Sequence, residues 1–329
     1  MAFLSPVAPR APGAIHLVAT LGPASLDHAA LLARSGATSF RLNASHLTPD
    51  LAADAVSRVR AALPDAPIVI DLQGAKLRLG VFTERAVEVG DTLRWALSPA
   101  RPDDIPLPHP EIFAGVHVGE TLSADDDRLR FTVTSVTPTF LEATALRRGP
   151  LRPRKGLNVV EHPVRLLSLP AHDRAHLDAL SGFAGLSFAF SFMLDGSEAR
   201  WVREVAPGAA VIGKIERAEA VASLADIDAR VDATWICRGD LGAQLGMPGL
   251  ARFVGGLAPR AFGQPMLMAG QVLEHLTSHP EPTRSEVCHL HDLLARGFAG
   301  VVLSDETAIG RDPVGAVSAA RSLLDSLGG

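Results

Sequence analysis

The chain is poor in cysteine: its 329 residues include only two, Cys237 and Cys288. Two thiols cannot build a disulfide framework, and such sparing use fits a reducing compartment. Long apolar runs are missing too, since no stretch approaches the about 20 residues that span a bilayer. The opening residues hold Pro6, Pro9 and Pro12 but no apolar core of signal-peptide length. A soluble, cytoplasmic protein is expected. There is no excess of basic charge: 31 Lys and Arg face 36 Asp and Glu, for a net charge of −5. That balance offers nothing to nucleic acid or an anionic membrane surface. An anionic substrate would have to meet a local basic cluster. No Walker-type glycine loop and no protein-kinase loop set occurs. What the chain does have is 47% hydrophobic residues, enough for a large core in one or two domains.

Short apolar runs alternate with helix-like periodicity. Strands are predicted to start at Ile15, Ala37, Ile68, Leu186, Ala209, Val231, Pro265 and Gly300. Helices are predicted over 26–35, 49–63, 171–182, 196–206, 271–278, 283–296 and 313–327, with a helical or irregular region over 248–262. Eight strands alternating with helices suggest a closed (β/α)8 TIM barrel, an α/β fold. A doubly wound open sheet is the alternative. Between Val81 and Pro163 the rhythm changes to short alternating runs such as Val87-Glu88-Val89 and 129–133, separated by turns at Gly90-Asp91 and Gly119-Glu120. An all-β lid domain over 81–164 is therefore expected as an insertion after the third strand. The barrel would take 1–80 and 165–329.

Chemistry concentrates in 210–242, AVIGKIERAEAVASLADIDARVDATWICRGDLG. Positions two apart on a strand share a face, so Lys214 and Glu216 point the same way. The next strand ends in Arg238-Gly239-Asp240, and a right-handed crossover brings both strand ends to one sheet edge. Glu216 and Asp240 are expected to hold a divalent cation, with Lys214 over the reacting oxygens. Other strand ends carry Thr20; Arg41, Asn43, Ser45 and His46; Asp71, Gln73, Lys76 and Arg78; Ser191; Gln271; and Ser304, Glu306 and Thr307. Magnesium takes one or two protein carboxylates and leaves places for substrate oxygens. Cations beside a carboxylate-held metal suit phosphoryl transfer, where catalysis is mostly positioning and charge neutralisation. Plainer readings stand beside these. Asp240 suits a helix start, Cys237 a core position, His46 a hydrogen-bonded loop. Arg147, Arg148, Arg152, Arg154 and Lys155 suit a solvated face or a phosphate contact. His109, His117, His162, His172, His176, His275, His279, His289 and His291 show no compact metal spacing.

The stretches ATLGPAS at 19–25, FRLNASH at 40–46, DLQGAKLRLG at 71–80, KGLN at 155–158, GKIERAEAV at 213–221, RGDLG at 238–242, PEPTRSE at 280–286 and LSDETAIG at 303–310 run in one order along the chain. This set resembles the pyruvate kinase family. The resemblance implies the same barrel with its β insertion, and the reaction of phosphoenolpyruvate with ADP to give pyruvate and ATP through an enolate at a divalent ion, Mg2+ or Mn2+. It implies catalytic roles for Lys214, Arg41, Lys76 and Ser304. Lys214, Arg238, Gly239, Asp240 and Gly270 would bind substrate, and Glu216 and Asp240 the metal. Asn43, His46, Arg78 and Lys155 would lie on the nucleotide side. Asn43, Ser45, Asp71, Leu72 and Lys76 correspond to the monovalent-cation site.

Most family members need potassium and carry Glu where Lys76 stands; the resemblance to members with Lys there, typically preceded by Leu and Gln as Leu72 and Gln73 are here, implies potassium-independent activity. An ammonium on a four-carbon stem can replace a bound monovalent ion. The chain also departs from the family. Ala269-Gly270-Gln271 lacks the Thr of A-T-Q, Ile309 replaces a Lys, and the acidic turn reads Asp125-Asp126-Asp127. Gly329 follows the last barrel helix directly. The expectation is that the family's C-terminal domain and its effector site are lacking, and that the protein is a monomer or a barrel-mediated dimer. A barrel acting on another enol or acid, or a non-catalytic sensor, are the competing functions.

Overall fold

The computed structural model describes residues 15–328 except Asp126 and Pro163. The prolines near the N-terminus and Asp126 of the acidic turn lie outside the described residues. Eight strands form the barrel: β1 (His16–Leu21), β2 (Ser39–Asn43), β3 (Ile68–Leu72), β4 (Leu186–Phe190), β5 (Ala210–Ile215), β6 (Ala233–Cys237), β7 (Met266–Ala269) and β8 (Gly300–Leu303). They neighbour one another in chain order, and β1 closes on β8 in parallel, Leu17 opposite Val301. This closure excludes the open sheet.

The strands are apolar on both faces because both are covered. One set of alternating positions fills the barrel's interior: Val18, Val69, Ala189, Ile212, Trp235, Leu267 and Val302. The other set, including Leu17, Phe40, Ile68, Ile70 and Phe190, is equally buried. Local chemistry sets the helix ends. Thr48 caps Pro49–Ala62 by accepting from the Leu51 N–H, with Pro at the first helical position. Thr283 and Glu286 form a reciprocal capping box on Arg284–Arg296, which stops at left-handed Gly297.

Two barrel segments differ from the sequence expectation. The helix after β6 begins at Arg238 and runs to Gly256, broken at Gly246 (φ 67°) just before Pro248. Its glycines and proline hide the first half from a propensity reading. The helix expected over 271–278 is a short 3-10 turn, Glu274–Thr277, entered through left-handed Gly270 and Gln271. The segment between β5 and β6 forms two short helices, Ala218–Ala222 and Leu224–Asp228.

The chain divides into two compact units: the barrel, up to Gly74 and from Leu169 onward, and Ala75–Ser168. The second is a six-stranded and a two-stranded sheet around Trp95, Phe131 and Leu141, with Trp95 and Phe131 edge to face at 5.0 Å. It also contains the helix Pro110–Gly115, which is too short to show a period. It starts before 81 because Leu79 N–H donates to Lys155 O at 2.9 Å and Leu157 N–H to Leu77 O at 3.0 Å. No described helix is long and apolar enough to cross a membrane.

Candidate active site

Continuing the inward-facing positions one step towards the strands' C-terminal ends changes the chemistry. Val18 is followed by Thr20, Val69 by Asp71, Ala189 by Ser191, Ile212 by Lys214, Trp235 by Cys237, Leu267 by Ala269 and Val302 by Ser304. The interior is therefore apolar below, and at the rim where barrel enzymes work it turns polar except at Cys237 and Ala269.

Asp71 is the hub. Its Oδ1 accepts from Lys214 Nζ at 3.0 Å and from Ser191 Oγ at 3.1 Å. Its Oδ2 accepts from Arg41 Nε at 2.8 Å, from Arg41 Nη2, and from Lys214 Nζ at 3.0 Å. Lys214 also donates to Ser191 Oγ at 2.8 Å and pairs with Glu216 Oε1 at 3.1 Å. Arg41 reaches Thr20 Oγ1 at 3.0 Å, and Thr20 donates to Leu303 O at 2.7 Å, tying β1, β2 and β8 together. Burial alone would disfavour every charge in the network. Here it is outweighed: Lys214 and Arg41 hold the Asp71 carboxyl below its ordinary range, and Asp71 in turn raises both cations. All stay charged although buried or nearly so. Cys237 lies beside them, and burial and Glu216 push its thiol well up, so it remains a thiol.

Glu216 follows β5 directly. Its Oε2 accepts from Phe192 N–H at 2.8 Å and so fixes Phe192 in a left-handed conformation (φ 56°). Asp240 is the third residue of the helix after β6, half-buried, where the helix N-terminus favours a carboxylate. Because β5 and β6 pair with Ile215 opposite Ile236, these two carboxylates follow neighbouring strand ends. Arg238 clamps the next loop, donating to Gly270 O from Nε at 2.9 Å and Nη2 at 2.7 Å, and to Gln271 O. A Cβ on Gly270 would have room, 3.5 Å from Gly239 N, but φ is +79°, which disfavours a branched residue. Ser304 donates its N–H to Glu306 Oε2 at 2.7 Å, and Glu306 Oε1 accepts from Leu273 N–H at 3.3 Å. Burial raises the Glu306 carboxyl. Ile309 is 61% exposed.

Asn43 stands opposite Asp71 in register and accepts from Ser45 N–H at 3.1 Å, capping the short turn Ala44–His46. His46 is exposed at the end of that turn. Leu72 alternates with Asp71 onto the other face and is fully buried, so its side chain acts by packing alone. Lys76, Arg78 and Lys155 belong to the β unit. There the Lys76 stem passes Gly156, Arg78 Nη1 donates to Arg154 O at 3.1 Å, and Lys155 pairs with Asp125 at 2.9 Å.

The sequence reading missed Asp173. Fully buried in the helix Ala171–Leu180, it accepts from Gln73 N–H at 2.9 Å and Gly74 N–H at 2.8 Å. It thereby holds the turn leaving Asp71, where Gly74 comes too close to Ser191 O for any side chain. Burial pushes its carboxyl up to about 7. The partners lie about a hundred positions apart in sequence, and no local signal links them.

Together these features define a (β/α)8-barrel enzyme whose C-terminal rim carries a prebuilt buried network of cations and carboxylates. The family model for the pyruvate kinase barrel domain matches residues 14–317. Pyruvate kinases of Methylorubrum extorquens and Agrobacterium vitis are 32% and 34% identical, over 94% of this chain and 68% of their own. The pyruvate kinase of Thermoplasma acidophilum is 26% identical, over 94% of this chain and 57% of its own. The chain belongs to the pyruvate kinase family and is an enzyme of the transferase class.

Proposed function

We propose that the protein transfers a phosphoryl group between phosphoenolpyruvate and ADP, with a divalent cation and without potassium. The observation that carries this reading is Lys214, an ammonium held between Asp71, Ser191 and Glu216 at 2.8–3.1 Å on the barrel's inner rim. A charge so fixed needs no reorganisation to stabilise negative charge developing on an enolate or a transferring phosphoryl group.

Glu216 and Asp240 offer only hard carboxylate oxygens from neighbouring strand ends, a donor set that fits Mg2+ or Mn2+. When bound, the cation would neutralise substrate oxygens. Lys214 and Arg41 would orient the phosphoryl group, with Arg41 fixed by Asp71 and Thr20. Gly239, Gly270 and the Arg238-clamped loop would shape the carboxylate end of the substrate. Ser304 would act from the β8 end, where Glu306 holds its backbone. On the barrel, Asn43 and His46 are assigned to the nucleotide.

Potassium independence draws support from Lys76, Leu72 and Gln73, and from Asp71 itself. Five donor contacts already fall on its two oxygens, which have about four acceptor sites between them. Little remains there for a monovalent ion.

The function is tested by following pyruvate release from phosphoenolpyruvate and ADP, with Mg2+ and with a chelator. Mg2+-dependent turnover is expected. No turnover, with phosphoenolpyruvate and Mg2+ still raising the melting temperature, would instead identify a sensor.

A further inference from the structure

The β unit gathers three side chains whose sequence spacing carries no metal signal. His117 follows the helix Pro110–Gly115, Glu120 precedes the strand Thr121–Ala124, and His162 follows the strand Leu157–Val159. Those two strands pair antiparallel, Val159 opposite Leu122, and Val160 N–H extends the ladder to Thr121 O at 2.9 Å. Thr121 N–H in turn donates to Glu161 Oε2 at 2.9 Å, fixing the approach to His162. A tight turn joins the other two residues, with His117 N–H donating to Glu120 Oε2 at 2.8 Å. The arrangement is therefore set by backbone on all three sides.

His117 Nδ1 lies 3.3 Å from Glu120 Oε1, and His162 Nε2 lies 3.1 Å from both Glu120 oxygens. One donor atom from each residue falls within 4.8 Å of the other two. A tetrahedral zinc ion, with bonds of about 2.0–2.1 Å, sets its ligand atoms about 3.3 Å apart. The group already has close to that spacing. Two imidazoles and one carboxylate form a borderline donor set that suits Zn2+, whereas Mg2+ and Mn2+ favour oxygen.

We propose that His117 Nδ1, the Glu120 carboxylate and His162 Nε2 form a Zn2+ site on the β unit, with the fourth position left to water. It is built in a different unit from Glu216 and Asp240 and from different donor chemistry. Bound Zn2+ would clip the 116–120 turn to the 160–162 segment and stabilise the folded unit by mass action.

The test uses the whole chain without an affinity tag, in saturating Mg2+ so that the oxygen site is filled. Zn2+ is titrated against a competing chromophoric chelator, and melting is followed in parallel. The wild type is expected to bind one Zn2+ that Mg2+ does not displace, and to melt at a higher temperature with it. H162Q should bind that ion at least tenfold more weakly and lose the shift. Co2+ in place of Zn2+ should give the visible absorption of a four-coordinate site in the wild type, and none in H117Q. His117 is 75% exposed, so H117Q keeps the test alive should H162Q fail to fold. Wild-type Zn2+ affinity in H117Q would overturn the assignment, as would no Zn2+ binding by the wild type in Mg2+.

Discussion

The two halves of the barrel rim are built differently. Around β2 to β5, side chains set the geometry: Arg41, Asp71, Ser191, Lys214 and Glu216 hold one another through short polar contacts. Around β6 to β8, the inner layer is small and nearly neutral, Cys237 and Ala269, and the loops are held through backbone groups by Arg238 and Glu306. The first half is electrostatically complete and therefore stiff, since removing a charged member leaves buried charge less well compensated. The second half keeps its shape through two unusual backbone conformations, at Gly270 and Gln271. It follows that the charged half should respond to substitution through chemistry and pH, and the other half through backbone conformation.

Lys214→Met should show the largest effect. It removes the one cation shared by Asp71, Ser191 and Glu216, and turnover should fall about 10³-fold, the range for loss of a preorganised electrostatic donor. Activity within tenfold of wild type would move the phosphoryl-transfer centre elsewhere.

Asp173 sharpens the contrast through pH. In the unfolded chain a carboxyl ionises near pH ~4. Here burial keeps the proton on to about 7. Between these values the native state binds the extra proton, so stability falls as pH rises. Unfolding free energy from urea titration should drop by on the order of 1–3 kcal/mol between about pH 5 and about pH 8. Asp173→Asn should flatten that slope, at the cost of an amide N–H facing Gln73 or Gly74 N–H. An unchanged slope in the variant would remove Asp173 from the account.

On the other half, Gly270→Thr supplies the hydroxyl that the family resemblance leads one to expect but places a β-branched residue at φ +79°. Stability should fall by about 1–3 kcal/mol, with no gain in turnover. A faster and equally stable variant would show that the loop relaxes and that Gly270 limits turnover.

Much of this was legible in the sequence because it follows local rules. Alternation by two paired Lys214 with Glu216. Continuous apolar runs marked the barrel strands, and the loss of helix period marked the β insertion. Asp71 and Arg41 came from strand ends. The rest depended on distance or geometry. Asp173 acts on residues a hundred positions away. The helix from Arg238 hides behind Gly246 and Pro248, and the Gly270–Gln271 turn, with no proline to announce it, passed for helix. His117, Glu120 and His162 meet only because two strands pair. Leu72 carried a family signature, yet its side chain faces away from the site by the same alternation that placed Asp71.

The central claim is that the charged half of the rim is complete with the chain's own cations. It is tested most directly by the initial rate of pyruvate formation in saturating Mg2+, with potassium or with an equal concentration of a bulky quaternary ammonium ion that cannot enter the site. Rates equal within about twofold are expected. A tenfold or greater stimulation by potassium would contradict it, showing that Asp71 and its neighbours still leave a monovalent site to be filled.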